Sequence, residues 1–464
     1  MDKLFNSRNV VAFLGLFVLL TLLFFSVLFW MERTLYIDMA FQTFVMIQTK
    51  TTTIQNYRFG AALTQLFPLI AIKTHLSLTK VLQCYSVSFY IWYAIYFLII
   101  LYLLKSEALA IILLLSLTLI TSSSFYWAQT ELPQGISFLV ISLSAILFYA
   151  QKKAVTIIQG IFLLAMLITL VFFHPLLSII FILSIVYFKL KENISNQQFL
   201  ILVFTTIFLV TLKSLFFKTG TYESNKMGGL NNFISLFPNY FSINSNRFFL
   251  YQLIGNYFFA ATLFLVTIVF YLQRKKYALL LWMFASVITY IMLINVSFPN
   301  LGEGTYLQNM HLPVVVLLSL PFAFEIVPVL KIKHWLPVLS LVFLVRLSVI
   351  YNSHTKFTTR LNALKEIIAA THSYEGRKFW ISDENIPSEY FDTWALSYET
   401  LILSSLESPD SSRTIASESD IIPNKSLIKT GYPFINPYWD NSEALSTNYF
   451  RLPNSEYREI KLKD

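Results

Sequence analysis

The sequence predicts an all-α polytopic membrane protein with about eleven transmembrane helices and a small C-terminal extracytoplasmic α/β domain. Three observations lead to this fold class. Hydrophobic residues make up 56% of the 464 positions. Charged residues make up only 13%, about half the share found in a typical soluble domain. Apolar runs of about twenty residues recur along the chain, and that length crosses a hydrocarbon core of about 30 Å.

The predicted spans are the apolar segments between polar or charged connections. They cover residues 10–30, 81–104, 107–122, 135–150, 155–173, 175–189, 198–217, 252–272, 277–296, 310–330 and 335–351. The neighbouring segments 107–122 and 175–189 are short for a span. Residues 61–72 are apolar but shorter still, and they contain Pro68. They predict an interfacial helix or a re-entrant segment.

Lysine and arginine residues predict the orientation of these spans. Two of them, Lys3 and Arg8, precede the first span. Every second connection after it is short and basic, through Lys105, Lys152, Lys153, Lys189, Lys191, Arg274, Lys275, Lys276, Lys331 and Lys333. Basic connections remain on the cytoplasmic side of a membrane. We therefore expect a plasma-membrane protein with a cytoplasmic N-terminus, an uncleaved first span and an extracytoplasmic C-terminus.

The charge balance divides the chain into two predicted domains. Residues 1–351 carry nine acidic and 22 basic side chains, net +13, and form the transmembrane domain, with a long first outer loop at 31–80. Residues 352–464 carry 16 acidic and 12 basic side chains, net −4. This second part begins with an amphipathic pattern from Leu361 to Ala370 and a strand-like run from Phe379 to Ile381. Its tryptophans and tyrosines indicate a packed extracytoplasmic domain.

Acidic residues are scarce in the predicted transmembrane domain, and their positions give the main indication of function. Only nine of the chain's 25 Asp and Glu residues lie there. Five of the nine fall in connections predicted to be extracytoplasmic: Glu32, Asp38, Glu131, Glu223 and Glu303. A carboxylate close to a bilayer is costly to keep ionised, so a set on one side of the membrane indicates a site.

Asp38 lies in the first outer loop, between Ile37 and Met39 in an apolar stretch. Burial at the membrane edge suits a carboxylate to accept a proton from a sugar hydroxyl near neutral pH. The alternative is a structural carboxylate at a helix N-terminus, where the helix dipole stabilises negative charge. Further along this loop, Arg58 stands between aromatic residues. It either binds a phosphate through its guanidinium or anchors the loop to lipid headgroups.

Glu131 ends the second outer loop, just before Pro133 and the next span. It is therefore predicted to face the same membrane surface as Asp38. Two carboxylates there can share acid–base work or coordinate a divalent cation, for which Mg²⁺ and Mn²⁺ are the candidates. The alternative for Glu131 is a carboxylate in the first turn of a helix, favoured by the dipole.

The later outer connections add candidate substrate contacts. His174 lies between two apolar runs, either as a site residue or as a polar turn residue. Glycines flank Glu303, which allows the backbone to approach a ligand closely. Tyr306 and His311 follow at near-helical spacing. The polar loop at 218–251 contributes three further candidates: Glu223, Lys226 and Arg247.

A charged residue inside a span is also a candidate. Arg346 lies within the last predicted span. Such a residue is functional by default, although close to a helix end its side chain can extend to the interface instead.

Nucleotide-binding and zinc-binding motifs are absent from the sequence, and no nucleic-acid partner is expected. A transferase working outside the cytoplasm has no supply of nucleotide sugars, so it must use a lipid-linked donor from the membrane.

The layout resembles that of the GT-C class of polytopic glycosyltransferases, in which the first two outer loops each carry an acidic residue. Asp38 matches the first-loop acid and Glu131 the second-loop acid. The resemblance implies a polyprenyl-phosphate sugar donor, a lipid or glycan acceptor, inversion at the anomeric carbon, and Asp38 as general base. By topology it implies donor-phosphate or sugar contacts at Arg58, His174, Glu303, Tyr306 and His311.

The chain departs from two branches of that class. It has neither the paired Asp-Glu of protein mannosyltransferases in the first loop nor the WWD-type triplet of oligosaccharyltransferases. Two other functions remain open. One is a polysaccharide polymerase or ligase of the O-antigen type, which depends on arginine and histidine in a large late outer loop. The other is a transporter or flippase of lipid-linked saccharides, for which internal repeats are expected.

Overall fold

The computed structural model describes residues 7–152, 155–217, 229–301, 304–386, 393–424, 428, 435–438, 445–453 and 455–461. Most of these residues are helical. In the first half of the chain the helices are α1 (Ser7–Leu28), α2 (Trp30–Thr34), α3 (Asp38–Thr49), α4 (Ala62–Lys73), α5 (Leu78–Leu98), α6 (Glu107–Thr118), α7 (Glu131–Ala150), α8 (Ile157–Val171), α9 (Pro175–Leu190) and α10 (Asn196–Phe216).

The second half continues the helical body and adds a small sheet. Its helices are α11 (Asn232–Ser235), α12 (Asn244–Ile254), α13 (Phe258–Gln273), α14 (Tyr277–Ser297), α15 (Gly304–His311), α16 (Val314–Pro321), α17 (Ile332–Asn352), α18 (His354–Ala370), α19 (Leu396–Ser404) and α20 (Glu418–Ile421). The strands are β1 (Lys378–Ile381), β2 (Thr414–Ser417) and β3 (Arg458–Glu459).

Each of the eleven predicted spans contains helix, but a count of eleven membrane crossings is not confirmed. Among the described residues, six helices are long and apolar enough to cross a membrane, or up to eight if each of two bent pairs is one span. The difference lies in α6, α8 and α9, which have 12, 15 and 16 residues. At about 1.5 Å per residue they are roughly 18–24 Å long, less than a hydrocarbon core of about 30 Å.

Burial separates the centre of the helical body from its outer surface. Helix α6 is buried continuously from Leu109 to Thr118. It packs against α1, α7 and α16, and a helix that is apolar on every side is stable only when enclosed in this way. In α10, by contrast, only Leu202, Thr206 and Lys213 are buried. Its remaining apolar surface is exposed, as expected for a helix that faces lipid.

Two helices of the body are broken, and Arg346 satisfies backbone carbonyls at one of the breaks and at the end of α6. Helices α12 and α13 meet at 80°, and α15 meets the α16 segment at 43°. Arg346, on α17, donates hydrogen bonds to the carbonyls of Thr118 (3.1 Å), Thr121 (2.6 Å) and Asn256 (3.0 Å). Irregular backbone inside a membrane protein requires such partners. These contacts give Arg346 a structural role.

Basic side chains gather at one end of the helices. Arg8 at the start of α1 lies 3.8 Å from Glu107. Lys191 after α9 and Lys276 before α14 both pair with Glu325, whose side chain is buried. We call this the basic end. The same three helices finish or begin at the opposite end with Leu28, Pro175 and Ser297.

The C-terminal region (residues 354–461) continues directly from α17. The predicted amphipathic helix lies within α18, and the predicted strand is β1. The three strands are parallel in the order β2-β1-β3, and α19 connects β1 to β2. Its own core contains Phe379, Ile381 and Ile415.

Helix α19 joins this region to the helical body. Tyr398 packs its ring against Phe41 and Phe44 of α3, with centroid distances of 5.2 and 5.1 Å. Phe44 also contacts Phe450, at 5.8 Å. The core of the helical body therefore extends without interruption into the C-terminal region.

Candidate functional site

A cavity of about 720 Å³ lies at the end of the helical body opposite the basic end, which we call the cavity end. Its wall is built by five segments of the body and by the C-terminal region. Five residues predicted to form a site line it together: Asp38, Arg58, Glu131, His174 and Tyr306. These residues come from distant parts of the chain. They meet because the helices and loops that contain them share this end of the body.

Asp38 is the first residue of α3, so its carboxylate lies where the helix dipole stabilises negative charge. Trp127 Nε1 donates a hydrogen bond to Asp38 Oδ2 at 2.8 Å. The preceding residue, Ile37, has a positive φ of 41°, a conformation that β-branched residues rarely adopt. The helix N-terminal position predicted as the structural alternative is correct, and it coincides with a place in the cavity wall.

Arg58 and Glu131 form a buried ion pair in the cavity wall. Arg58 Nη1 and Glu131 Oε2 are 2.7 Å apart, and each side chain is only 9% exposed. From the sequence, Arg58 was predicted as a phosphate ligand and Glu131 as a second acid, with no contact between them. Their pairing compensates both charges, so an anionic ligand would compete with Glu131 for Arg58.

His174 lies in the wall beside this pair. It is the N-cap of α9, and its Nδ1 accepts a hydrogen bond from Leu176 N at 3.3 Å. Because Nδ1 is an acceptor, a neutral ring carries its hydrogen on Nε2. Pro175 follows at the first helical position, where its missing N–H costs nothing. The histidine is therefore both a helix cap and a cavity residue.

Trp127 is a cavity residue that the sequence did not single out. Its ring contacts Tyr36 at 5.7 Å and Tyr306 at 6.1 Å, and Tyr306 in turn contacts Phe298 at 5.7 Å. These rings hold the indole so that its N–H reaches Asp38. In the sequence, the position of Trp127 four residues before Glu131 in a polar loop could have indicated that it belongs to the site.

The loop that carries Trp127 and Glu131 is held by buried side chains from other helices. Gln308 Oε1 accepts from Ser122 N (3.2 Å) and Ser124 N (2.8 Å). Arg33 donates to the carbonyl of Phe125, and its guanidinium lies 4.3 Å from the centre of the Phe125 ring. A loop fixed in this way positions its side chains in the cavity more precisely than a mobile loop would.

Gln129 and Thr130 were also missed, although they lie directly before Glu131. Both line the cavity, and Gln129 is 3% exposed. Within the described part of the chain, Gln129 Nε2 and Thr130 Oγ1 have no hydrogen-bond partner. Buried polar atoms are nearly always paired, so two such groups in one wall suggest that a ligand supplies their partners.

His311, by contrast, is not a cavity residue. Its Nε2 lies 2.7 Å from Asn295 Oδ1, and its Nδ1 lies 3.1 Å from Tyr257 Oη. Helix geometry gives the reason. Five residues at about 100° per residue put His311 on the side of α15 roughly opposite Tyr306, whereas Met310, four residues from Tyr306, does line the cavity.

The remaining candidates lie elsewhere. Glu303, Glu223 and Lys226 fall outside the described residues, and Arg247 on α12 is exposed and is not part of the wall. For a metal ion, no group of three or more His, Cys, Asp or Glu side chains occurs among the described residues. Asp38 and Glu131 alone would form a partial ligand set.

The C-terminal region contributes an aromatic part of the wall. Trp394 packs edge-on against Phe41 at 5.6 Å and against Tyr438 at 5.5 Å, and all three line the cavity.

Comparisons with protein-family models, with curated proteins and with solved structures find no match. The functional interpretation therefore depends on the residues of the cavity itself.

Proposed function

We propose that the protein is a membrane glycosyltransferase that moves a sugar from a polyprenyl-phosphate donor to a hydroxyl group of a lipid or glycan acceptor. The observation that carries the proposal is the convergence of Asp38, Arg58, Glu131, His174 and Tyr306 on one cavity. This set combines a carboxylate base, a cation and polar groups. The cavity volume also falls in the range of about 300–1,000 Å³ typical of small-ligand sites.

The proposed reaction takes place on the extracytoplasmic side. Lysine and arginine residues favour the cytoplasmic side of a membrane, and here they collect at the basic end. The cavity is at the other end of the same helices. This arrangement supports a site that faces away from the cytoplasm and that receives its donor from the membrane.

Asp38 is the proposed general base. Its Oδ2 is held by Trp127, and the helix dipole favours the ionised form that accepts a proton. The acceptor oxygen gives its proton to Asp38 as it bonds to the anomeric carbon. The bond between that carbon and the phosphate oxygen breaks, and polyprenyl phosphate leaves with the electron pair. Attack from the opposite face inverts the configuration.

The donor phosphate is proposed to bind beside Arg58. A phosphate oxygen that displaces Glu131 would receive a charge-assisted hydrogen bond from the guanidinium. Gln129 and Thr130 in the same wall offer an amide and a hydroxyl. A divalent cation held by Asp38, Glu131 and the phosphate oxygens would further neutralise the leaving group.

Aromatic residues suit the lipid part of the donor. Tyr57 and Phe59, on either side of Arg58, are 41% and 49% exposed. Phe59 contacts Phe172 at the end of α8, and Tyr57 contacts Phe217 at the end of α10. Aromatic side chains favour the membrane–water interface. The polyprenyl chain can therefore approach along α8 and α10 while its phosphate reaches Arg58.

The first experiment compares lipid-linked and surface glycans, by mass spectrometry, between a strain lacking the protein and the same strain complemented with it. Loss of one sugar from an acceptor, with accumulation of its polyprenyl-phosphate donor, is expected. Unchanged glycans would contradict the proposal. With that donor, Asp38→Asn should lower transfer about 10²–10⁴-fold, because it removes the base while keeping the size of the side chain. Full activity of a folded Asp38→Asn protein would exclude Asp38 as the base.

The position of Arg247 favours a transferase over a polymerase or ligase of the O-antigen type. A polymerase or ligase of the O-antigen type needs its late-loop arginine at the site, but Arg247 is exposed and is not part of the wall. For a flippase, the same glycan comparison would show an accumulated lipid-linked saccharide that already carries every sugar.

A further inference from the structure

A buried ion pair of the C-terminal region contacts the backbone directly before Asp38. Arg360, on α18, donates to both carboxylate oxygens of Glu399, on α19, at 2.8 and 2.7 Å. Neither residue is more than 3% exposed. Glu399 Oε1 also accepts a hydrogen bond from the backbone N–H of Ile37 at 2.6 Å. The pair thus reaches from the last part of the chain to the residue that precedes the proposed base.

The Ile37 backbone needs such a restraint. Its φ of 41° with ψ of −106° lies in a region that side chains with a branched β-carbon avoid. Strained backbone persists only where the surroundings hold it, and it is concentrated at functional sites. Here the surroundings are Glu399 on the N–H and the packing of the residue before it, Tyr36, whose ring contacts Phe357 at 5.1 Å and the Arg360 guanidinium at 5.1 Å.

The geometry leaves Glu399 no direct role in the reaction. Its side chain is fully buried, it is paired with Arg360 through both oxygens, and it does not line the cavity. Its hydrogen bond instead fixes the peptide that turns the chain into α3. Asp38 is the next residue, so the direction of its carboxylate depends on that peptide.

We propose that the Arg360–Glu399 pair is a positioning element for the Asp38 carboxylate, so that the C-terminal region is an integral part of the active site. The proposal rests on the proposed function, in which Asp38 is the base. It assigns Arg360 and Glu399 as positioning residues: they act through Ile37 and touch neither donor nor acceptor.

The main test is Glu399→Asp in the full-length protein in lipid nanodiscs, assayed with the polyprenyl-phosphate sugar found by the glycan comparison. Aspartate keeps the negative charge beside Arg360 but is one methylene shorter, so it loses contact with Ile37 N. We expect kcat to fall about 100-fold, because a displacement of about 1 Å at the reacting groups has an effect of that size. The KM for the donor should stay within about twofold of the wild-type value, because Arg58 and its neighbours are untouched.

Glu325→Asp is the matched control. Glu325 is also buried and is also paired with basic side chains, but it lies at the basic end. It should lose stability in the same way as Glu399→Asp and keep its kcat. A kcat for folded Glu399→Asp within twofold of wild type would overturn the proposal. An equal loss of kcat in Glu325→Asp at equal thermal stability would also overturn it, since the effect would then be general destabilisation.

A second variant covers the case in which Glu399→Asp does not fold. Arg360→Lys keeps the positive charge but loses the planar guanidinium, whose Nη2 donates to both oxygens of Glu399 while its Nη1 donates to the Leu35 carbonyl at 3.5 Å. We expect a roughly tenfold lower kcat with unchanged donor KM, and an unchanged kcat would overturn the proposal. Asp38→Asn distinguishes a failure of the positioning role from a failure of the proposed base. If Asp38→Asn is inactive and both positioning variants are normal, the positioning role fails and the proposed function stands; if Asp38→Asn is fully active, the proposed base fails first.

Discussion

Two buried arginine–carboxylate pairs, one in the cavity wall and one beside the Ile37 backbone, differ in what surrounds them. Arg360 and Glu399 are joined through both carboxylate oxygens, are enclosed by protein and also hold a backbone N–H. Arg58 and Glu131 are joined at 2.7 Å in the wall of a cavity that can hold a ligand. Because the first pair is enclosed by protein, no ligand can replace either partner. The second can exchange one partner for a substrate, which suggests that enclosure rather than chemistry separates a structural pair from a binding pair.

The largest difference between the pairs is expected when one arginine is removed. Arg360→Ala leaves the Glu399 carboxylate buried without a cation, which destabilises a protein by about 3–5 kcal/mol. Thermal unfolding of the purified protein should show a large decrease in the midpoint. Arg58→Ala opens onto the cavity, where water can solvate Glu131, so its midpoint should change much less. Equal decreases for the two variants would contradict the distinction.

The second effect concerns donor binding. Arg58→Ala should raise the KM for the donor about 10–100-fold, because it removes a charge-assisted contact with phosphate worth about 1.5–3 kcal/mol. Arg58→Lys keeps the charge without the planar guanidinium and should fall between Arg58→Ala and the wild type. Steady-state kinetics over a range of donor concentrations measures both. An unchanged donor KM in Arg58→Ala would remove the pair from phosphate binding.

A smaller effect is expected from the hydrogen bond that the cavity gives Asp38. Trp127→Phe keeps an aromatic ring beside Tyr306 but removes the N–H that donates to the carboxylate. We expect kcat to fall about tenfold, corresponding to about 1.4 kcal/mol. Arg58, Glu131 and His174 line the same cavity and are unchanged in this variant. A kcat equal to that of the wild type would exclude this role for the indole.

The smallest effect belongs to a half-buried carboxylate of the C-terminal region. Burial raises the pKa of Asp420, in α20, to about 6, and the nearby Asp383 adds to the effect. The folded protein therefore holds this proton more tightly than the unfolded chain does. Its stabilising contribution is present below about pH 4 and is lost as the pH rises towards 6.

Asparagine does not ionise, so Asp420→Asn removes the loss of stability that accompanies ionisation of the Asp420 carboxyl group. It should raise the thermal midpoint at pH 7.5, with a gain below about 1 kcal/mol because the side chain is partly exposed to solvent. The gain should shrink progressively between pH 6 and pH 4. A gain of the same size at every pH would show that the carboxyl group does not titrate in this range.

The sequence was sufficient to place a helix in every predicted span and to identify part of the site, but it did not predict α3 inside the outer loop 31–80 except as the structural alternative for Asp38. Apolar length and basic connections predicted helices at every proposed span, and they predicted that Asp38 and Glu131 face the same surface; both line one cavity. The length of α6 could not be predicted, because a short helix that is enclosed by protein is as apolar as one that crosses lipid. The exclusion of His311 was predictable, since it follows from its angle to Tyr306 on a helix.

The contacts that organise the site were beyond reach of the sequence. Arg58 and Glu131 are 73 residues apart, and Ile37 and Glu399 are 362 apart. Local pattern gives no sign of such pairings, because each residue has a plausible local role, at a loop or at a helix terminus. The partnerless polar atoms of Gln129 and Thr130 are visible only once the wall is formed.

The bond from Glu399 to Ile37 also sets an order of events during synthesis. Ile37 leaves the ribosome early, whereas Glu399 follows 362 residues later. If Asp38 is the base, its carboxylate is not held in position until α19, which carries Glu399, has been made, delivered to the same side of the membrane and folded against α3. Nascent chains and truncated fragments would then carry every residue of the cavity wall from the helical body and still be inert. Activity would begin only once α19 is in place.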